Sequence, residues 1–367
     1  MKIPCRLGEP LPRRVAVFRA LQLGDLLCTI PAWRALRMAL PQAEIMLVGL
    51  ASARSLAARF AHYLDEFCEF PGYPGLPEQA PRGGDFPAFL TFMQAKQFDL
   101  VLQMHGNGTI TNPLIGLFGA RFAAGFFVPG GYCPDAQRFL PYPIHEPEIW
   151  RHLRLLEFLG IPLQGHELEF PLREEDKEQL HALAEAEQLS RQGYVCIHAG
   201  ARAPARRWPP EHFAAVADGL ASRGFCTVLT GTAEEACVTR AVRDAMAAPV
   251  LDLTGKTNLG TLAALLDEAH VLICNDTGVS HLAAALRIPS VVIFHGISEL
   301  QGWPPLNRQL HRVLCRIPSV TPDEVLAEVD DLLRKERRQR AQSSTVDIGP
   351  RMGSRWFSVG SSKAVHS

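Results

Sequence analysis

The sequence predicts an α/β protein built from two doubly wound parallel sheets. The chain has 367 residues, of which 47% are hydrophobic, which is enough for two cores and too long for one ordinary domain. The opening residues show a strand, a helix and a second strand in succession. From about residue 194, strands and helices alternate without interruption. These observations give the fold class before any motif is considered.

The first half opens with a β-α-β unit. The apolar run RRVAVFRA has the length of a strand, and Pro41 ends a helix with apolar residues spaced by three and four. That stripe comprises Leu26, Leu27, Ile30, Trp33, Leu36 and Leu40. The order continues with the strand EIMLVGL, the helix-like SARSLAARFA, the strand-like DEFCEF, a Pro/Gly-rich loop at residues 71–87 and the strand FDLVLQM.

The second half repeats this rhythm more clearly. Its strand runs are short and rich in Val, Ile and Leu, as expected of parallel strands buried on both faces, and each returns through a helix. The strands are YVCIHAG, FCTVLTG, VLDLTG, HVLICND and SVVIFHG. The helices lie over PPEHFAAVADGLASRG, AEEACVTRAVRDAM, LGTLAALLDEA and GVSHLAAALR. This half therefore predicts a doubly wound sheet of its own.

A linker containing Pro and Gly separates the two halves. One helix ends at Gly160 and a charged helix begins after the linker, so the boundary is predicted near residue 165. We expect a first domain at residues 1–165 and a second at residues 166–335. Few apolar residues and many Arg, Ser and Gly favour a disordered basic tail at residues 336–367.

Charge and cysteine content narrow the classes of partner. The formal net charge of −1, with no basic block in the patterned part, argues against a nucleic-acid partner, so an anionic ligand has to be held locally. Nine cysteines without a C-x-x-C pair indicate reduced thiols in a cytoplasmic protein. We expect neither export nor a transmembrane anchor, because no stretch has the pattern of a signal peptide or the length of a span.

Several enzyme classes are disfavoured because their motifs are missing from the sequence. Neither leading strand is followed by G-x-G-x-x-G, and there is no Walker phosphate loop, G-x-S-x-G elbow or H-E-x-x-H helix. The 13 histidines lack metal-ligand spacing, so no metal site is expected. By default, His105, His198 and His295 are interpreted as polar residues at strand ends.

Ligands of open α/β sheets bind where strands end and helices begin, and the loop CNDTGVSHLAAAL at residues 274–286 is the strongest candidate. Asn275 or Asp276 can cap the helix, and Gly278 has no side chain to obstruct a phosphate near the first N–H groups. His281, one turn later, can reach back to the same anion. The alternative is an ordinary capped helix with a buried histidine.

A second loop, HAGARAPARRWPPEHF at residues 198–213, combines a strand end with three arginines and a helix N-terminus. Guanidinium groups at this place suit a diphosphate leaving group, which gains negative charge as its bond breaks. The candidates are Arg202, Arg206 and Arg207, with Gly200 just before them. The alternative is a solvated basic loop that Trp208 anchors in the core.

Two further loops add weaker candidates. In LTGTAEEA, Glu234 or Glu235 could accept the hydroxyls of a ribose, although acidic residues are common in a first helical turn because of the helix dipole. In LDLTGKTNLG, Thr254 and Gly255, with Thr257, form a small polar loop suited to a base or sugar. Ordinary turn residues remain the alternative in both loops.

Taken together, these segments resemble glycosyltransferase family 9, the ADP-heptose:lipopolysaccharide heptosyltransferases. The resemblance covers roughly residues 14–333. It is carried by NDTGVSHLAAAL with PSVVIFHG, by LQLGDLLCTIPAWRAL and by HAGARAPARRWPPEHF. It implies the GT-B architecture, in which two Rossmann-like domains face each other across a cleft. It also implies a nucleotide-sugar donor on the second domain, a lipid-linked saccharide acceptor on the first, and no metal ion.

The resemblance also implies roles for single residues. Asp25 would be the general base of an inverting transfer, and Arg206 would replace the family's lysine beside the diphosphate, with Arg202 or Arg207 sharing that role. The diphosphate would further meet Thr277, Gly278 and His281, the sugar Asp276, and the ribose Glu235. The acceptor side would comprise Gly24, Gln103, His105 and Asn107. Gln103 stands where many relatives carry an acidic residue, which leaves the identity of the acceptor open.

Alternatives remain open at the level of sequence. Another GT-B enzyme, such as a hexosyltransferase of polysaccharide assembly or a nucleotide-sugar epimerase, fits the same motifs, and so does a non-catalytic nucleotide-sugar-binding module. The local sequence favours Asp25 as the cap of a helix. This interpretation is compatible with a general base, because a carboxylate held ionised by a helix N-terminus is also positioned to accept a proton. We expect the protein to be cytoplasmic, with at most peripheral contact with the inner membrane.

Overall fold

Two six-stranded sheets with helices form the protein, which confirms the predicted α/β class. The computed structural model describes residues 6–183, 189, 193–296, 300, 302–317 and 319–346. The first sheet has the strand order β3-β2-β1-β4-β5-β6. Its strands, all paired in parallel, are β1 (Arg14–Phe18), β2 (Glu44–Gly49), β3 (Glu66–Glu69), β4 (Leu100–Gln103), β5 (Phe122–Phe127) and β6 (Phe139–Pro141).

The second sheet repeats this topology in the order β12-β11-β10-β7-β8-β9. Its strands are β7 (Tyr194–His198), β8 (Cys226–Leu229), β9 (Val250–Asp252), β10 (Leu272–Asn275), β11 (Ser290–Phe294) and β12 (His311–Cys315). All five neighbouring pairs are parallel. The central strands are buried throughout, which explains why their sequences are almost continuously apolar.

The helices of the first domain include two, Phe86–Ala95 and Thr111–Gly116, that the sequence pattern did not indicate. They are α1 (Leu23–Leu27), α2 (Ile30–Ala39), α3 (Arg54–Arg59), α4 (Phe86–Ala95), α5 (Thr111–Gly116) and α6 (Glu148–Phe158). The predicted loop at residues 71–87 ends in α4, with Pro87 in its first turn. Like α4, the elements α5, β5 and β6 were not predicted.

The helices of the second domain are α7 (Glu174–His181), α8 (Pro210–Ala221), α9 (Ala236–Ala245), α10 (Leu259–Asp267), α11 (Gly278–Leu286) and α12 (Pro322–Val346). Helix α6 packs against α2 of the first domain, and helix α7 packs against α10 of the second. The predicted boundary near residue 165 lies between α6 and α7. Helix α12 continues eleven residues into the segment predicted to be disordered, because nothing in its sequence breaks a helix before Val346. Residues 347–367 lie outside the described residues.

The topology brings particular loops together. Strand β1 lies between β2 and β4, and β7 lies between β10 and β8, so the direction of winding reverses next to β1 and β7. In open α/β sheets, ligands bind at the carboxyl ends of the strands that flank such a reversal. The loops after β1 and β4 therefore form one candidate wall, and the loops after β7 and β10 form the other.

One hydrophobic cluster spans the two domains. The largest cluster of buried side chains includes Leu27 and Trp33 of the first domain as well as Val279 and Leu282 of α11. Burial of apolar surface stabilises a protein by about 25 cal/mol per Å². The contact between the domains therefore contributes to the stability of the fold.

A buried ion pair adds a second link between the domains. Arg59 of α3 donates hydrogen bonds from Nη1 and Nη2 to the two carboxylate oxygens of Asp176 in α7, at 2.6 and 2.8 Å. Both side chains are less than a tenth exposed. Burial acts to raise the pKa of Asp176, but the bonds from Arg59 hold it below its usual value.

Replacing Asp176 with Ala is expected to lower the free energy of unfolding by about 3 kcal/mol, because the charge of Arg59 would be left buried without its partner. Urea denaturation followed by circular dichroism measures this. As the control, Glu174→Ala on the same helix removes a carboxylate that is 82% exposed and paired with Lys177, so a change within about 0.5 kcal/mol is expected. Equal effects of the two changes would contradict this role for Asp176.

Candidate active site

Asp25 lies in the first turn after strand β1. Helix α1 begins at Leu23, and Gln22 is its extended N-cap residue. The backbone N–H of Gln22 donates to Oδ2 of Asp25 at 3.1 Å. Asp25 is therefore not the cap residue, because the helix starts three residues earlier than the cap interpretation requires. Its carboxylate instead closes the first turn from the third helical position, as in a capping box.

A buried guanidinium fixes the backbone of Asp25. Nε and Nη2 of Arg19 donate to the Asp25 carbonyl oxygen at 3.0 and 2.8 Å, and Nη2 lies 4.0 Å from Oδ1. Burial raises the pKa of Asp25 above its usual value, while Arg19 acts to lower it and Glu148 to raise it. About a fifth of the Asp25 side chain stays exposed, at 21%. A partly open carboxylate of increased proton affinity is suited to general base catalysis.

Gln103 has its amide group engaged within the first domain. Its Nε2 donates to the hydroxyl of Thr111 at 2.6 Å and to the carbonyl of His105 at 2.5 Å, and its Oε1 accepts from the N–H of Phe126 at 3.1 Å. The side chain is fully buried. These bonds hold the loop after β4, and a role of Gln103 in acceptor binding stays a prediction.

The same loop presents His105 and Asn107. The ring of His105 stacks on Phe18, and its Nε2 lies 3.7 Å from Oε2 of Glu78. Burial acts to raise the pKa of Glu78, but His105 and the charge of Arg202 from the second domain hold it below its usual value. Glu78 was not singled out from the sequence, because it lies in a loop without regular pattern. Asn107 is exposed.

On the second domain, α11 begins within the motif predicted to bind an anion. Thr277 is the extended N-cap residue and Gly278 the first helical residue. The N–H and the hydroxyl of Ser280 donate to the Thr277 carbonyl at 3.0 and 2.8 Å. The first N–H groups of an α-helix have no partner within the helix. This helix end is therefore suited to an anion such as a diphosphate.

Asn275 connects the end of β10 to the loop after β7. It is not the cap of α11, contrary to one prediction. Its Oδ1 accepts from the backbone N–H of Trp208 at 2.9 Å, and its Nδ2 donates to the carbonyl of Ala199 at 2.7 Å. Trp208 is fully buried, and its indole N–H donates to the carbonyl of Val320 at 3.0 Å. The loop after β7 is thereby held against the end of β10.

The three arginines of this loop differ in their surroundings. Nη1 of Arg206 lies 3.5 Å from Oδ2 of Asp276, which directly precedes the cap of α11. Nε of Arg207 donates to the carbonyl of Ala201 at 2.9 Å, within its own loop. Arg202 is exposed, and its charge acts on Glu78. Arg206 is therefore the arginine best placed beside the start of α11.

Glu235 lies against Gly200, between the loops after β7 and β8. Its Oε2 accepts from the N–H of Thr232 at 2.9 Å and lies 3.6 Å from Nε2 of His198. A Cβ atom at Gly200 would collide with the Glu235 carboxylate, so a larger residue there would require this carboxylate to move. Burial lowers the pKa of His198, while Glu235 acts to raise it. Glu234, the alternative candidate, is exposed.

The loop after β9 closes this side of the site. Gly255 has a φ of +72°, and its N–H donates to the carbonyl of Gly231 at 2.9 Å. The Oγ1 of Thr254 is buried and has no hydrogen-bond partner in the described part of the chain. A buried hydroxyl without a partner is costly, and a ligand could satisfy it.

Two glycines let the domains meet. A Cβ atom at Gly24 would lie 2.9 Å from Cδ2 of His281 and 3.1 Å from Cα of Gly278, and one at Gly278 would lie 3.0 Å from the Gly24 nitrogen. These distances are shorter than ordinary carbon contacts, so neither position has room for a side chain. The residue before Asp25 thus touches the first turn of α11.

His281 takes part in this contact between the domains. Its Nδ1 lies 3.5 Å from Sγ of Cys28, in the first domain. Burial lowers the pKa of His281 to about 4, so the ring is neutral near pH 7. His281 can therefore offer an N–H to an anion but no positive charge. An anion at the start of α11 would meet the dipole of this helix and the nearby charge of Arg206.

Among the described residues, no group of three or more His, Cys, Asp or Glu side chains could hold a metal ion. In that same part of the chain, every helix is too short or too polar to cross a bilayer.

The family follows from comparison with known proteins. A sequence model of glycosyltransferase family 9 (heptosyltransferase) matches residues 89–325, more than half of the chain. The chain belongs to glycosyltransferase family 9. The matched residues include the loops after β7, β8, β9 and β10, but they begin after the loop that carries Asp25.

Curated relatives of this family 9 protein are heptosyltransferases. The lipopolysaccharide heptosyltransferase 3 of Escherichia coli K12 is 32% identical over 172 residues, which cover 46% of this chain and 49% of the relative. The lipooligosaccharide heptosyltransferase 2 of Haemophilus influenzae is 28% identical over 155 residues, covering 36% of this chain and 44% of the relative. The matches thus span less than half the length of these two relatives.

A solved structure supports the architecture. The ADP-heptose lipopolysaccharide heptosyltransferase II of Escherichia coli has a TM-score of 0.71 and 22% sequence identity, over 88% of this chain and 99% of that one. This likeness concerns the fold. It confirms the GT-B arrangement of two Rossmann-like domains in this family 9 protein.

Replacing Gly24 with Ala is expected to separate the start of α1 from α11, because the added methyl group would overlap His281 and Gly278. Amide hydrogen exchange in residues 278–286 should become faster, and the radius of gyration should increase. In Gly116→Ala, the matched control, a Cβ atom meets nothing within 4 Å, so neither quantity should change. Unaltered exchange in the Gly24 variant would show that the contact is not tight.

Proposed function

We propose that this protein transfers a heptose from ADP-heptose to an inner-core acceptor of lipopolysaccharide, with inversion at the anomeric carbon. Membership of family 9 and the heptosyltransferase names of its relatives support the donor and acceptor classes. We further propose a cytoplasmic location, with at most peripheral contact with the inner membrane. The acceptor would remain lipid-linked, and its exact hydroxyl is left open.

The contact between Gly24 and Gly278 carries the mechanistic part of the proposal. It joins the carboxylate of Asp25, on the first domain, to the helix end suited to a diphosphate, on the second. Asp25 would take the proton of the acceptor hydroxyl while the oxygen of that hydroxyl bonds to the anomeric carbon. The bond from that carbon to the diphosphate oxygen breaks in the same step, and ADP leaves with the electron pair.

The donor would lie along the ends of β7 to β10. The diphosphate would meet Arg206 and the first N–H groups of α11, at Thr277 and Gly278, where positive charge and dipole can stabilise the leaving group. This assigns charge neutralisation to protein groups and not to a metal ion. Asp276 would contact the sugar and Glu235 the ribose, through the carboxylate oxygen that is not bonded to Thr232.

The remaining alternatives are tested with donors and acceptors together. Gln103 does not favour a non-catalytic module, because its buried amide is bonded within the loop after β4. A panel of nucleotide sugars with core-truncated lipopolysaccharides, read by mass spectrometry, separates heptose transfer from hexose transfer. An epimerase would release no nucleoside diphosphate in net turnover, and a module would bind ADP and form no product.

Replacing Asp25 with Asn is expected to lower kcat by about 10²- to 10⁴-fold, because the amide keeps the shape of the side chain but cannot accept the proton. Product formation is measured by mass spectrometry, and ADP affinity by calorimetry should be unchanged. The exposed Asp267→Asn variant is the control and should retain full turnover. Turnover near normal in the Asp25 variant would contradict its role as base.

Replacing Arg206 with Ala is expected to weaken ADP binding by about 10- to 100-fold, since charge-assisted hydrogen bonds contribute about 1.5–3 kcal/mol. Calorimetry with ADP and with AMP measures this, and binding of AMP should change less if Arg206 meets the terminal phosphate. Arg207→Ala is the matched variant and should have the smaller effect, because its Nε is already bonded to Ala201. The reverse order would assign the diphosphate to Arg207.

A further inference from the structure

One charged residue near Asp25 has no part in the proposed reaction. Glu148 is the first residue of α6, and its side chain is 7% exposed. Its Oε1 accepts a hydrogen bond from Nη2 of Arg19 at 2.9 Å. The same nitrogen lies 4.0 Å from Oδ1 of Asp25. One guanidinium nitrogen thus lies between two carboxylates and is bonded to the side chain of only one of them.

Each of the three guanidinium nitrogens of Arg19 donates a hydrogen bond. Nε and Nη2 donate to the carbonyl of Asp25, Nη1 donates to the carbonyl of Met104, and the side chain is fully buried. A buried guanidinium cannot lose its charge, so that charge has to be balanced by a nearby carboxylate. Glu148 is the nearer of the two available carboxylates.

Further hydrogen bonds hold Glu148 in this position. Nη1 of Arg151 donates to Oε2 at 2.6 Å, and Nε2 of His152 lies 3.2 Å from Oε1. Burial acts to raise the pKa of Glu148, but Arg19, His152 and Arg151 together hold it well below its usual value. Burial lowers the pKa of His152 to about 4. Glu148 is therefore a permanent negative charge near pH 7, and His152 is neutral.

Glu148 is also held by the second domain. Its backbone N–H donates to the carbonyl of Gly302 at 2.8 Å. A Cβ atom at Gly302 would lie 3.3 Å from Nη2 of Arg151, so the guanidinium that binds Glu148 packs against the same residue. The position of Glu148 therefore depends on the arrangement of both domains.

Several charged or titratable groups act on Asp25 from the elements around it. They are Arg19 after β1, His105 after β4, Glu148 on α6 and Cys28 at the C-terminal end of α1. Arg19 and His105 favour the ionised form of Asp25, and Glu148 opposes it. Burial raises the pKa of the Cys28 thiol well above its usual value, so this thiol adds no charge near pH 7.

We propose that Glu148 is a positioning residue for the base: by binding Arg19, it keeps that guanidinium from pairing with the carboxylate of Asp25. An Asp25 carboxylate paired with Arg19 would be a weaker base and would turn away from the acceptor. The inference rests on the proposed function of Asp25 and adds how its basicity is maintained. Because Gly302 helps to hold Glu148, the base is complete only when the domains are together.

Replacing Glu148 with Gln tests this through the pH dependence of transfer from ADP-heptose to core-truncated lipopolysaccharide. An ionised base loses activity as the pH falls through its pKa. Without the negative charge of Glu148, Arg19 acts on Asp25 alone, so the acidic limb of kcat/KM should move down by about one pH unit. The plateau of kcat should fall as well, because the weaker base accepts the proton less readily.

A merely structural role would lower kcat without moving the limb. Glu148→Asp keeps the charge and should restore the position of the limb. Glu157→Gln on the same helix, whose side chain is 47% exposed and paired with Arg154, should leave the profile unchanged. If Glu148→Gln does not fold, the double variant Arg151→Met with Glu148→Gln removes one charge of each sign and still leaves Arg19 uncompensated, so the same shift is expected.

An acidic limb unchanged in Glu148→Gln, or in the double variant, would overturn the inference. The pH profile of the Glu148 variant tests this inference separately from the turnover of the Asp25 variant, which tests the proposed base. If Asp25→Asn abolishes transfer while the limb of the Glu148 variant stays in place, the proposed function stands and the role of Glu148 is wrong. If Asp25→Asn retains turnover, the proposed base is wrong.

Discussion

The site depends on a contact between two helix ends without side chains between them. Gly24 and Gly278 approach so closely that a Cβ atom at either position would overlap the other domain. This contact joins the loop of Asp25 to the N-terminus of α11, which come from separate sheets. Because Leu27 and Val279 belong to one continuous core, burial of apolar surface supports the contact. The parts of the candidate site on the two domains are thereby held next to each other.

Electrostatics gives the two sides of this contact different properties. On the first domain, burial and Glu148 raise the proton affinity of Asp25 against the charge of Arg19. On the second, Arg206 and the first turn of α11 provide positive charge and N–H groups, while His281 is neutral because it is buried. A carboxylate able to accept a proton thus lies near a place able to hold an anion, which suits an inverting transfer with a diphosphate leaving group.

Local rules predicted the sheets well and the single side chains less well. Apolar strand runs and helical spacing gave the β-α-β opening and the alternation after residue 194, because burial on both faces of a parallel sheet leaves a strong pattern. They missed β5 and β6, whose Gly, Ala and Pro content weakens that pattern. The cap of α11 was assigned to Asn275 or Asp276 because both are good caps, whereas Asn275 serves a distant partner, the backbone of Trp208.

The sequence by itself determined the two-domain α/β fold, the family resemblance and the loops in which a donor would bind, since these depend on residues close together along the chain. Only the tertiary structure decided that the amide of Gln103 holds the loop after β4, that His281 meets Cys28, and that Arg19 and Glu148 surround Asp25. An arginine after a buried strand and a glutamate opening a helix are ordinary in sequence. They gain meaning when the fold excludes water around them and each charge has to find a partner.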